Sequence, residues 1–312
     1  MSARAPAGDS RFSRQDVALL AALALVWGSA YVFIREGIVF GAAALPFAAI
    51  RYALSAVAFF LLAAGRREAF PPRRALLVSA AVGGTLLIGV YGGFLYWGEQ
   101  YTTGGYASVL ASTAPILTLL FAWVLLPSER LGPLALGGIA IGFAGVVVLV
   151  VPELSGSSVG TWPGPAFVIG AFVAAAIGSV LLRRFGGGRQ GLWQIGTQFA
   201  VGALLIGTAA LVLPYPRAVP LSVGVLGSLL SLVVFSSVLG YFVYFLLLHR
   251  AGPVGANLVA YLVPIVGVGI GSGFFAEPIS VWEIVGSLIV ITGVSLVIWA
   301  PTRGAVRTSS AR

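Results

Sequence analysis

The 312-residue chain is 59% hydrophobic and 9% charged, with a mean hydropathy of +1.04, which excludes a soluble globular domain and indicates a polytopic membrane protein. All 18 basic residues are arginine, cysteine is absent and His249 is the only histidine, so disulfides, thiol catalysis and thiolate or histidine-built metal sites are excluded, and no cofactor or metal is expected. A net charge of +9 would suit nucleic acid in a polar chain; in one this apolar it reads as arginine in loops on one side of a membrane, with no nucleic-acid partner.

A spanning helix needs about 20 mainly apolar residues. Ten runs meet this in chain order: Val17–Ile34, Ala42–Ala64, Ala75–Gly98, Gly105–Leu126, Leu131–Val151, Pro163–Leu182, Gly191–Leu213, Leu221–Leu248, Pro253–Phe275 and Ile284–Ala300. The first has no clear small-residue cleavage site ahead of a soluble remainder and reads as a retained span. The eighth is long enough to tilt or protrude. The connections are short and rich in Gly, Pro or charge, leaving no room for a soluble domain. Residues 1–16 and 301–312 form tails, and 17–151 and 152–300 form two halves of five spans each.

Arginine counts set the expected orientation. With the N-terminus inside, the inside segments hold Arg4, Arg11, Arg14, Arg66, Arg67, Arg73, Arg74, Arg130, Arg183, Arg184, Arg189, Arg250, Arg303, Arg307 and Arg312, fifteen in all, against Arg35 and Arg217 outside. This bias predicts cytoplasmic N- and C-termini.

The chain repeats itself. Shifted by 149 residues, "ASVLASTAPI" (Ala107–Ile116) lies over "ANLVAYLVPI" (Ala256–Ile265); shifted by 148, "GGFLYW" (Gly92–Trp97) lies over "GYFVYF" (Gly240–Phe245), and Glu129, Gly138 and Gly145 meet Glu277, Gly286 and Gly293. "WGS" at Trp27–Ser29 faces "IGS" at Ile177–Ser179. Five spans is an odd number, so the halves must run in opposite orientations. The expected fold is an all-α polytopic membrane protein, with ten transmembrane helices as two inverted five-helix repeats around a central cavity at the repeat interface.

The stretches "APILTLLFAWVLLPSERLGPLALGGIAIGFAGVVVLV" and "VPIVGVGIGSGFFAEPISVWEIVGSLIVITGVSLVI" each resemble the second half of an EamA domain, and "ALVWGSAYVFIREG" with "PFAAIRYALSA" resembles its first two spans. The resemblance covers Val17 to Ala300. It implies a transporter of the drug/metabolite transporter superfamily, most similar to the YddG-type aromatic amino-acid exporters. It further implies an inner-membrane location and a cavity lined mainly by the first, third, fourth, sixth, eighth and ninth spans.

Pro115 and Pro264 stand at repeat-related places about half-way through their runs. Proline removes a backbone donor and presses on the carbonyl four residues back, here that of Ala111 and of Ala260. Membrane helices tolerate this where neighbours or cavity water satisfy the carbonyl, so the pair is expected to act as hinges bordering the cavity.

Arg51 is the only arginine within a span. It could snorkel outward or pair structurally, since Pro46 begins its helix nearby, or it could meet a substrate carboxylate. The nine acidic residues, Glu99 among them, all fall in tails, loops or helix ends, so nothing suggests a buried carboxylate relay and substrate movement is expected to be uncoupled. Glu129 and Glu277 favour the N-terminal ends of the helices that follow. The glycine-rich fifth and tenth spans read as close-packing surfaces.

Polar and aromatic residues within spans are the binding candidates: Trp27, Ser29 and Tyr31; Tyr91 and Tyr96; Tyr106 and Ser112; Ser179; Gln194 and Gln198; Ser236, Ser237, Tyr241 and Tyr244; Asn257 and Tyr261. Hydroxyls and amides can fix a zwitterion, and rings offer faces to an aromatic group or a cation. The same residue types also anchor helices at interfaces and glue them together. Ser112 and Tyr261 stand out because the repeat pairs them, each three residues before its proline. The expected activity is export of amphipathic metabolites, aromatic amino acids foremost, by a monomer in the lipid bilayer. A drug or other small-metabolite carrier is the alternative. A phosphorylated-metabolite carrier would want a concentrated cationic site, and an intramembrane enzyme would need motifs that are not present.

Overall fold

The computed structural model describes residues 12–101, 107, 110–126, 131–154, 163–186, 190–213, 218–275 and 281–300, and all regular structure among them is helical. Ten helices follow in order: α1 Arg14–Val39, α2 Ala44–Gly65, α3 Arg73–Gly98, α4 Ala114–Leu125, α5 Pro133–Leu154, α6 Gly164–Phe185, α7 Leu192–Val212, α8 Val223–Asn257, α9 Val259–Phe275 and α10 Val281–Trp299. Six of them, α1, α2, α3, α6, α7 and α8, are long and apolar enough to cross a membrane. The long α8 breaks at Gly252, whose φ of 75° and ψ of 176° suit a residue without a Cβ. The break falls where the sequence divides its eighth and ninth runs.

The two repeats are inverted in space. At one face of the bundle, Asp16 near the start of α1 pairs with Arg250 at 2.9 Å, while Arg183 and Arg184 at the end of α6 donate to the carbonyls of His249 (2.7 Å) and Leu125 (3.1 Å). Thus α1 begins on the face where its counterpart α6 ends. Each arginine also satisfies a carbonyl that the helix leaves orphaned. Ser13 and Asp16 start α1 with a reciprocal capping box, and the Glu68 carboxylate caps the first turn of α7 through Leu192 N–H at 3.0 Å.

Packing follows the same symmetry: α1 lies on α9 as α6 lies on α4. α5 and α10 form a close pair in which a Cβ on Gly138 would stand 2.7 Å from the Gly293 carbonyl oxygen. The glycine-rich spans therefore pack backbone to backbone, as their composition implies.

One feature carries no sequence signal. α3 is π-helical over Ser79–Val90 and α8 over Leu232–Leu239, at overlapping positions of the two repeats. Such widened turns occur mostly as short pieces and often at functional sites.

Candidate functional site

Residues from seven spans bound a central space. α1 contributes Trp27, Tyr31 and Ile34; α3 Leu87, Tyr91 and Leu95; the fourth span Ala111 and, within α4, Ala114; α6 Phe172 and Ala175; α8 Ser236, Tyr241, Tyr244 and Asn257; and α9 Val259, Ala260 and Val263. The family resemblance omitted α2, yet α2 supplies Arg51 and Tyr52 to the wall.

Arg51 is the site's cation. It is 4% exposed and does not snorkel: seven residues into α2, it points among the helices. Its Nε donates to Ser237 Oγ at 3.1 Å, Nη1 to the Tyr96 hydroxyl at 2.8 Å and Nη2 to Ser236 Oγ at 2.7 Å. Its guanidinium carbon also lies 5.1 Å from the Tyr52 ring centre and 5.9 Å from that of Tyr96. Three hydroxyls and two ring faces thus replace water, but no carboxylate pairs with Arg51 among the described residues. A buried charge held only by neutral dipoles keeps a net attraction for an anion.

Both serines belong to the π-helical turn of α8. That turn also receives Trp27, whose Nε1 donates to the Ser236 carbonyl at 3.2 Å. The indole stands 5.3 Å from the Tyr241 ring and 5.2 Å from the Tyr244 ring. Its approach to α8 requires Gly240, where a Cβ would lie 2.6 Å from Trp27 Nε1. Gly92 does the same for Tyr52: a Cβ there would run into the ring.

Of the sequence candidates, Trp27, Tyr31, Arg51, Tyr91, Ser236, Tyr241, Tyr244 and Asn257 line the space, and Tyr96 and Ser237 stand behind it holding Arg51. Asn257 is fixed through its Nδ2, whose two N–H donors lie within reach of Thr118 Oγ1 (3.1 Å), Ser179 Oγ (3.2 Å) and the Pro253 carbonyl (3.0 Å). Ser179 thus positions a wall residue and is not itself wall.

The others lie elsewhere. Ser29 donates to its own helix at the Val26 carbonyl. Gln194 and Gln198 join Ser79 and Gln190 in a buried network between α3 and α7, which acts as helix glue. Tyr261 is fully buried on α5, donating to the Ile139 carbonyl at 2.8 Å with its ring against Gly142. The repeat-based pairing of Ser112 and Tyr261 therefore does not bring both to the cavity. Ser112 is buried between the wall residues Ala111 and Ala114. Tyr106, Glu129 and Glu277 lie outside the described residues. Tyr52 and Phe172 were missed; adjacency to Arg51 was the available signal for Tyr52.

The prolines also differ from their sequence symmetry. The fourth run is interrupted by a turn at Ser112–Thr113, and Pro115 is the second residue of the resumed helix, where its missing donor costs little. Pro264 sits inside α9.

Glu99 departs from the expectation that the chain holds no buried carboxylate. It caps the C-terminus of α3, as a helix-end position implies, but it is 5% exposed and neither carboxylate oxygen has a hydrogen-bond partner among the described residues.

Two consecutive segments, residues 16–151 and 162–299, match the EamA-like transporter family. The uncharacterized inner membrane transporter YedA of Escherichia coli K12 is 30% identical, with 89% of each chain covered. The uncharacterized transporter YvbV of Bacillus subtilis is 25% identical, over 89% of this chain and 90% of its own. A crystal structure at 18% identity superposes with a TM-score of 0.74, covering 91% of this chain and 96% of the other, which supports the fold alone. The protein is thus a multi-pass membrane transporter and not an enzyme; the chain belongs to the EamA-like transporter family of the drug/metabolite transporter superfamily.

Proposed function

We propose that the protein exports amphipathic metabolites carrying a carboxylate, aromatic amino acids foremost, by alternating access through the central cavity. The observation that carries this reading is Arg51: a buried cation with no carboxylate in ion-pair contact among the described residues, set in a wall of Trp27, Tyr31, Tyr52, Tyr91, Tyr241 and Tyr244. The guanidinium suits a carboxylate and the rings suit an aromatic side chain. Phosphorylated metabolites, which favour clustered cations, fit less well because Arg51 is the one cation lining this space among the described residues. The arginine bias supports cytoplasmic N- and C-termini, the inner-membrane relative YedA supports an inner-membrane setting, and the carrier is proposed to act as a monomer.

Counterflow in proteoliposomes tests the reading, with phenylalanine, threonine and a sugar phosphate compared at equal concentration. Phenylalanine should exchange fastest. Preferential exchange of the sugar phosphate would overturn it.

A further inference from the structure

Glu99 stands beyond the lining residues of the central space, at the C-terminal end of α3. Tyr91 and Leu95 line the space, and Glu99 follows at the next position of the same i, i+4 series, one helical turn further on. The carboxyl is buried and has no hydrogen-bond partner among the described residues. It also occupies the C-cap of α3, where the last carbonyls add partial negative charge. A structural carboxylate is stabilising at a helix N-terminus, as Glu68 is at α7; at a C-terminus the position is unfavourable unless a cation comes to it. Tyr96, which accepts from Arg51, sits three residues before Glu99, about one turn along α3, and Arg51 and Glu99 influence each other electrostatically.

We infer that Glu99 forms, with the C-terminal carbonyls of α3, an acceptor site for the ammonium group of a substrate whose carboxylate rests on Arg51. This deepens the proposed function and rests on it: it assigns the residue that recognises the amine, where the proposed function assigns only the residue that meets the carboxylate. A single wall then reads both charges of an α-amino acid, whose ammonium and carboxylate sit on one carbon.

The charged and titratable groups facing Glu99 are Arg35 and Tyr31 from α1, Arg51 and Tyr52 from α2, and Tyr91 and Tyr96 on α3 itself; α6 presents none there among the described residues. Burial holds the Glu99 carboxyl above the ordinary carboxylate range, while Arg51 and Arg35 oppose that rise. The ionised form that accepts an ammonium therefore grows with rising pH.

The test compares phenylalanine with 3-phenylpropionate, which lacks only the amine, as competitors in counterflow by the full-length protein in proteoliposomes. The wild type should favour phenylalanine by roughly tenfold or more, the scale of one charge-assisted hydrogen bond, and the preference should strengthen from pH 6 to pH 8. Glu99→Gln, which keeps the shape of the side chain, should bring the two ligands close together by weakening phenylalanine alone. Glu99→Asp should keep a preference for the amine, and so distinguishes a lost charge from a misfolded protein. If Glu99→Gln weakens both ligands equally, or leaves their ratio unchanged, the ammonium site is overturned while the Arg51 reading stands. If the wild type recognises neither ligand, the proposed function fails and this inference fails with it.

Discussion

Arg51 Nη2 donates to Ser236 Oγ at 2.7 Å, so the buried cation of the first repeat is held by a hydroxyl of the second. The bond crosses the interface along which inverted-repeat carriers move. Any rearrangement of α2 against α8 must break it or carry it along, and a substrate carboxylate can replace what Arg51 loses.

The first prediction follows from that bond. Ser236→Ala with Ser237→Ala removes two of the three hydroxyls on Arg51, each worth about 1.5–3 kcal/mol for a charged donor. Loss of packing aside, the guanidinium should lose its fixed orientation. Apparent affinity for phenylalanine should fall by tenfold or more and thermal stability should drop; unchanged values for both would show that the serines do not orient Arg51.

A second prediction concerns Gly240. Gly240→Ala places a methyl where Trp27 Nε1 approaches, so the indole must shift and its bond to the Ser236 carbonyl must lengthen. Exchange of phenylalanine should suffer more than exchange of leucine, because the displaced ring is one that an aromatic side chain would meet. Competition counterflow with the two amino acids reads the difference.

Much of this was legible in the sequence, for reasons that can be named. The ten spans follow from hydrophobic run length, and the inversion follows from a repeat of five. The α5–α10 seam follows from glycines at helical spacing. Eight wall residues, including Trp27, Arg51 and Asn257, were legible as polar or aromatic groups inside spans. Tyr261 and Gln198 have the same character yet serve packing, because residue type does not say which way a helix faces. The π-helical turns that aim Ser236 and Ser237 at Arg51 have no composition of their own. Glu99 looked like an ordinary loop acid because its burial comes from neighbouring helices.

Tyr261 supplies the third prediction. Tyr261→Phe removes the hydroxyl that satisfies the Ile139 carbonyl and should cost about 1–3 kcal/mol by leaving a buried acceptor unpaired. The melting temperature should fall while phenylalanine affinity stays within about twofold of wild type, a change below 1.4 kcal/mol. A selective loss of affinity would return Tyr261 to the binding site.

The prolines supply the fourth. Pro115 begins the resumed part of α4, and Pro264 interrupts the backbone ladder within α9. Pro264→Ala can restore a helix bond and should slow transport by stiffening α9. Pro115→Ala should have a smaller effect, since helix starts spare the donor anyway. Single cysteines introduced into this cysteine-free chain, probed from each side of the membrane, would show whether either variant shifts the balance between the two openings. Equal wild-type rates and accessibilities would reduce both prolines to tolerated sequence.

The central claim is that Arg51 selects a carboxylate within an aromatic cavity, and the most direct measurement is competition by phenylalanine and phenethylamine, which lacks only the carboxylate, in wild type and in Arg51→Gln. Wild-type protein should favour phenylalanine by roughly tenfold or more, the scale of a charge-assisted pair, and Arg51→Gln should abolish that preference while the protein remains monodisperse and inserted. An unchanged preference in a folded Arg51→Gln variant would contradict the account.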